Sequence, residues 1–154
     1  MSLEIERKFL VRDDRCLAGR QGERLVQAYV SATPRATVRV RIAGERAWLT
    51  LKGRTEGISR IELEYPMPLA DAELCLAELC GDGVVEKTRY RVPYGQHIWE
   101  VDLFAGANAG LLLAEIELAS PEEAFERPPW LGEEVSADPR YANSQLAERP
   151  FGRW

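Results

Sequence analysis

Histidine is nearly missing from this chain of 154 residues, which carries one, and cysteine occurs three times. A thiolate or imidazole metal centre is therefore not expected, because such sites draw several ligands from those two residue types. The odd cysteine count argues against a disulfide framework. Cys75 and Cys80 read as small hydrophobes in an apolar helical stretch, and Cys16 has no neighbouring histidine to activate it. No apolar run approaches the roughly 20 residues that a membrane span requires. The opening Met1-Ser2-Leu3-Glu4 lacks a basic or hydrophobic leader, so a cytoplasmic location without membrane association is expected. A net charge of -5 speaks against the contiguous basic surface that nucleic acid demands. Neither a repeat nor a low-complexity tract divides the chain, and 45% hydrophobic residues can build one sizeable core. One domain spanning residues 1–154 is the economical expectation.

What the chain does have is charge in strand register. Glu4-Ile5-Glu6-Arg7-Lys8-Phe9 sets three ionisable side chains two apart, so an extended strand aims all three at one face. Six further runs repeat the pattern. Arg39-Val40-Arg41-Ile42, Trp48-Leu49-Thr50-Leu51-Lys52 and Lys87-Thr88-Arg89-Tyr90-Arg91-Val92 are basic; Ile61-Glu62-Leu63-Glu64-Tyr65, Trp99-Glu100-Val101-Asp102-Leu103 and Glu115-Ile116-Glu117-Leu118 are acidic. The intervening residues are mostly of the types that suit a pleated, half-buried surface.

Like charges two apart on a strand sit about 7 Å from each other and repel by about 0.6 kcal/mol in water, or about 2 kcal/mol at an effective dielectric near 20. A sheet selected only for solubility would mix signs along each strand. The doublets Arg39/Arg41, Glu62/Glu64 and Glu115/Glu117 make sense if something of opposite charge arrives between them: a phosphate chain for the arginines, a divalent cation for the carboxylates.

Between these runs, Leu69–Cys80 combines strong helix formers and stops at Gly81. Ser120-Pro121-Glu122-Glu123 reads as an N-cap, a first-turn proline and a capping-box glutamate, which predicts a helix ended by Pro128-Pro129. Hairpin turns are signalled at Gly44-Glu45 and Pro93-Tyr94-Gly95, and a longer loop over Gly106–Gly110. His97 follows a turn and reads as a surface residue, while Trp48, Trp99 and Trp130 read as packing residues between helices and sheet.

The ordered set Glu4-x-Glu6-x-Lys8, Arg39-x-Arg41, Thr50-x-Lys52, Arg60-x-Glu62-x-Glu64, Glu86-Lys87-x-Arg89-Tyr90, Trp99-x-Val101-Asp102-x-Phe104-x-Gly106 and Gly110-Leu111-x-x-Ala114-Glu115-x-Glu117 resembles the CYTH domain of the triphosphate tunnel metalloenzyme superfamily. The resemblance runs to the Tyr141-x-Asn143-x-x-Leu146-Ala147 stretch. It implies an α+β fold: an eight-stranded antiparallel β-barrel with a charged lumen and helices packed outside.

It also implies metal-dependent hydrolysis of a small triphosphate, foremost inorganic tripolyphosphate. Glu4, Glu6, Asp102, Glu115 and Glu117 would then supply hard oxygen ligands to Mg²⁺ or Mn²⁺, with two ions expected. Glu62 and Glu64 would be further ligands or would orient the arginines. Lys8, Arg39, Arg41, Lys52, Lys87 and Arg89 would neutralise the phosphate chain. Tyr29, in the strand-like run Gln27–Ser31, would take the water's proton in partnership with Lys8. Arg60, Arg91 and Glu100 share the charged parity and are expected at its rim. Thiamine or nucleoside triphosphatase, adenylate cyclase and a non-catalytic polyphosphate-binding module stay open as alternatives. A symmetric dimer is the default assembly.

Overall fold

Eight alternating segments close on themselves. In the computed structural model, which describes residues 2–154, these are β1 (Leu3–Val11), β2 (Glu23–Ala32), β3 (Ala36–Ala43), β4 (Arg46–Gly53), β5 (Ser59–Met67), β6 (Val85–Tyr94), β7 (His97–Phe104) and β8 (Leu112–Glu117). Their order around the sheet is β5-β4-β3-β2-β6-β7-β8-β1, and β1 returns to β5 through the pairs Leu3–Ile61, Glu4–Arg60 and Ile5–Ser59. Every pairing is antiparallel, so the barrel has an enclosed interior and no open edge at this seam. A ninth strand, β9 (Leu131–Glu134), pairs with the far end of β1 at Phe9 and Val11. Four residues are too few to display alternation, which is why the sequence gives no sign of it.

The strand period of two divides inside from outside. On β1, β7 and β8 the outward residues Ile5, Phe9, Trp99, Val101, Ala114 and Ile116 form the main apolar core, outside the barrel wall. A second patch, Val40 and Ala47 with Ile42 and Leu49, is covered by α1 (Leu69–Glu78) through Ala72 and Leu76. Gly44 and Gly95 take positive φ (61° and 59°) in the β3–β4 and β6–β7 turns, a conformation glycine reaches without steric cost.

Three expectations need correction. Residues 120–130 form no helix; they run as an irregular strap over the outer core. Phe125 docks edge-on to Phe9 (6.0 Å) and Trp99 (5.7 Å), and Glu123 accepts from the Ala119 N–H and contacts His97, so tertiary packing overrides the local capping signal. His97 is consequently half-buried. The helices do not all lie outside either. α2 (Asn143–Glu148) seats Leu146, fully buried, against the inward-facing Val85, Phe104 and Leu113, and so floors one end of the lumen with apolar side chains. Among the described residues no helix is long and apolar enough to cross a membrane.

Candidate active site

Strand register stacks the charged residues into rows around the lumen. Tyr29 opposes Arg39, which opposes Thr50, which opposes Glu64. One step along lies Gln27–Arg41–Trp48, and one step the other way Thr37–Lys52–Glu62. On the opposite side of the sheet order, Lys8 opposes Glu115, which opposes Glu100, while Glu6 opposes Glu117 and Arg89 opposes Asp102. A cavity of about 320 Å³ results, and apart from Asp102 every site residue named from the sequence lines it.

The cations are fixed in place before any ligand arrives. Arg39 Nη2 donates to Thr50 Oγ1 (3.2 Å), whose hydroxyl donates to Glu64 Oε2 (2.8 Å). Arg41 Nε donates to Gln27 Oε1 (2.8 Å). Lys52 Nζ sits 3.1 Å from Glu4 and 3.2 Å from Glu62, and Arg60 lies 3.4 Å from Glu4. Arg89 makes a two-pronged contact with Asp102 (2.8 and 2.9 Å), and Lys87 Nζ adds a third contact at 2.8 Å. Both Asp102 oxygens are thereby committed, at 1% exposure. Lys8 Nζ donates to the Tyr141 carbonyl (3.1 Å) and lies 3.8 Å from Glu115; no hydrogen bond among the described residues joins it to Tyr29, which faces Arg39 across the strand pair. Arg39 Nε is buried without an acceptor, an unmet donor within the cation row.

Four further residues shape the site, none of them expected there from the sequence. Asn143, at the start of α2, accepts from Lys87 Nζ (3.0 Å) and from Gln27 (3.4 Å), tying the floor to the cation wall. Gln27 and Thr50 carry no charge, and although Thr50 belongs to the alternating run of β4 neither was expected to hold a cation. Trp48 was expected among the packing residues, yet its parity with Thr50 and Lys52 puts it in the lumen; Trp99 and Trp130 do pack outside, 5.6 Å apart. Arg60 and Glu100 line the cavity, and Arg91, 73% exposed at its side chain, marks the rim.

The enclosed charges shift one another. Burial, then the neighbouring Glu115 and Glu4, push the Glu6 carboxyl up to about 8. The hydrogen bond with Glu4, then burial, push Glu62 up to about 7, and burial with the charges of Glu4 and Glu100 raises Glu117. At Glu4 and Glu115 burial again pushes the carboxyl up but is outweighed: the hydrogen bond with Glu62, then Lys52 and Arg60, hold the first, and Lys8 and Arg89 the second, well below the usual carboxylate range. Burial lowers the Lys87 ammonium to about 7 against the pull of Asp102, and burial followed by Arg39 and Arg89 brings Arg41 down to about 10. Among the described residues no three histidine, cysteine or acidic side chains already converge on one point to hold an ion. The available donors are all carboxylate oxygens, the chemistry that suits Mg²⁺ or Mn²⁺.

A floored barrel that faces a cation wall with a set of carboxylates defines a protein built to take a short polyanion into its interior. The chain belongs to the CYTH domain family, which its residues 2–149 match. It is 42% identical over 151 residues to an inorganic triphosphatase of Acetivibrio thermocellus, covering 98% of this chain and 97% of that protein. An inorganic triphosphatase of Nitrosomonas europaea is 40% identical over 153 residues, covering 94% and 96%. A crystal structure of an inorganic triphosphatase superposes with a TM-score of 0.69 at 35% identity, covering 96% of this chain and 95% of that one.

Proposed function

We propose that this protein hydrolyses inorganic triphosphate to pyrophosphate and phosphate inside the barrel. The observation that carries the reading is the pairing, within one cavity of about 320 Å³, of Arg39, Arg41, Lys52, Lys87 and Arg89 with Glu4, Glu6, Glu115 and Glu117. Similarity over nearly the whole chain to two inorganic triphosphatases supports it.

In this reading the guanidinium groups of Arg39 and Arg41 grip non-bridging phosphate oxygens, and Lys8, Lys52, Lys87 and Arg89 complete the neutralisation. Water adds to a terminal phosphorus, the bond from that phosphorus to its bridging oxygen breaks, and pyrophosphate leaves. Tyr29, opposite Arg39, accepts a hydrogen bond from the attacking water and aims it at the phosphorus, and the water's proton leaves with the phosphate product. Because the transition state is loose, positioning and electrostatics supply most of the acceleration, and prefixed cations provide both. Glu64 and Asp102 act through the cations they hold. Mg²⁺ or Mn²⁺ would be held by Glu4, Glu6, Glu115 and Glu117 with Glu62, hard donors free of sulfur and nitrogen. Such an ion supplies, when bound, charge neutralisation at phosphate oxygens and activation of water.

The test is phosphate release from tripolyphosphate, thiamine triphosphate, ATP and long-chain polyphosphate with Mg²⁺ and then Mn²⁺. Tripolyphosphate is expected to be turned over fastest. Tight binding with release from none of the four would instead identify a binding module.

Proton linkage gives a second expectation. Metal ligation requires carboxylates, and below about 8 Glu6 holds a proton, so Mg²⁺ binding should release protons at pH 7 and tighten as pH rises towards 8. Lys87, lowered to about 7, loses its proton above that value and regains it beside an anion, so tripolyphosphate binding without metal should take protons up at pH 7.5. Titration calorimetry in two buffers of different ionisation enthalpy reads both signs.

A further inference from the structure

Trp48 and Tyr29 are the aromatic side chains that line the cavity. Tyr29 belongs to the machinery above, whereas Trp48 lies two residues nearer the β3–β4 turn than Thr50, opposite Arg41. Its indole face is occupied. Arg46, the first residue of β4 after the turn, places its guanidinium carbon 5.2 Å from the Trp48 ring centroid. That guanidinium is anchored in turn by Glu23 at the start of β2, with Nη2 3.0 Å from Oε2. Both ends of this ion pair are more than half exposed, at 67% and 52%, and both line the same cavity, so the three residues form its outer rim.

An exposed ion pair contributes little stability. A guanidinium over an indole, however, covers a surface on which any nucleobase would stack. The geometry points to Arg46 as a specificity-determining residue: pinned by Glu23, it caps Trp48 and denies nucleoside triphosphates a stacking platform, while inorganic triphosphate, having no base, is unaffected. This inference rests on the triphosphatase reading and sharpens its substrate class to triphosphates without a nucleoside. The side chain of Arg46 contacts Glu23 and Trp48, and among the described residues it pairs with no phosphate-gripping group. Removing it together with Glu23 also leaves the net charge of the rim unchanged.

The test compares wild type, Glu23→Ala/Arg46→Ala, and the same pair with Trp48→Leu added, using tripolyphosphate and ATP. The double variant should raise kcat/KM for ATP about tenfold, what one stacked base supplies, with tripolyphosphate turnover within about twofold of wild type. The added Trp48→Leu should abolish the gain. An unchanged ratio of ATP to tripolyphosphate activity in the double variant, or a gain that survives Trp48→Leu, overturns the proposal. Should no variant hydrolyse tripolyphosphate, the hydrolase reading fails and calorimetric ATP binding decides separately. Tighter ATP binding in the double variant that Trp48→Leu removes then upholds the capped platform, and equal binding in all three overturns it.

Discussion

Glu117→Gln is expected to lower tripolyphosphate turnover by about a hundredfold or more, because one lost oxygen donor removes charge stabilisation from a preorganised site. The fold should not register the change. Glu117 is exposed to the lumen, its carboxyl is already raised by burial and by Glu4 and Glu100, and glutamine relieves that crowding. Its thermal midpoint should stay within about 2 °C of wild type, as for a substitution worth no more than about 0.5 kcal/mol. Kinetics at rising Mg²⁺ and a melting curve check the two halves. Wild-type turnover at saturating Mg²⁺ would remove Glu117 from the metal set.

Asp102→Ala should do the reverse and damage the fold first. Its carboxylate is the shared counter-ion of Lys87 and Arg89, and Asp102 and Lys87 are both fully buried. Breaking a buried pair by removing one partner costs about 3–5 kcal/mol, since the other charge is left without compensation. Lys87 has an escape: with its ammonium already lowered to about 7, it sheds the proton. Arg89 has none, because a guanidinium stays charged, and only Glu100 at 3.4 Å and Glu115 at 3.8 Å remain to it. A fall of about 10 °C in melting temperature follows from that cost in a domain of this size. Asp102→Asn, which keeps the shape and one acceptor, should fall between. The pH dependence has a definite sign. Burial opposes ionisation at Asp102, but Arg89 and Lys87 bring its carboxyl down to about 2, below the usual 3.8. Its stabilisation is therefore complete above pH 4 and is lost as pH drops towards 2, a segment of the acid transition that the alanine variant should lack.

Much of the site was legible because the strand period is two and both signs of charge are conspicuous: Arg39 with Arg41 and Glu115 with Glu117 announce a face. Which partner each charge meets was not legible. Asp102 has the same parity as Glu100, and only the register with Arg89 and the contact from Lys87 show its oxygens committed to cations. Neutral polar residues such as Gln27 and Asn143 carry no periodic signature, although they hold Arg41 and Lys87. Trp48 was assigned to the apolar side by its chemistry, while its spacing from Thr50 and Lys52 already placed it inside. The capping motif at Ser120 failed because Phe125 finds the outer aromatic cluster, a contact distant in sequence.

If the phosphate chain binds within the barrel, a crystal structure with Mn²⁺ and a non-hydrolysable imidotriphosphate will show it there. The phosphate chain should be found between the Arg39/Arg41 wall and the Glu6/Glu117 pair, with anomalous manganese signal at the carboxylates. Phosphate bound on the outer surface, with the lumen filled by water, would rule out hydrolysis inside the barrel.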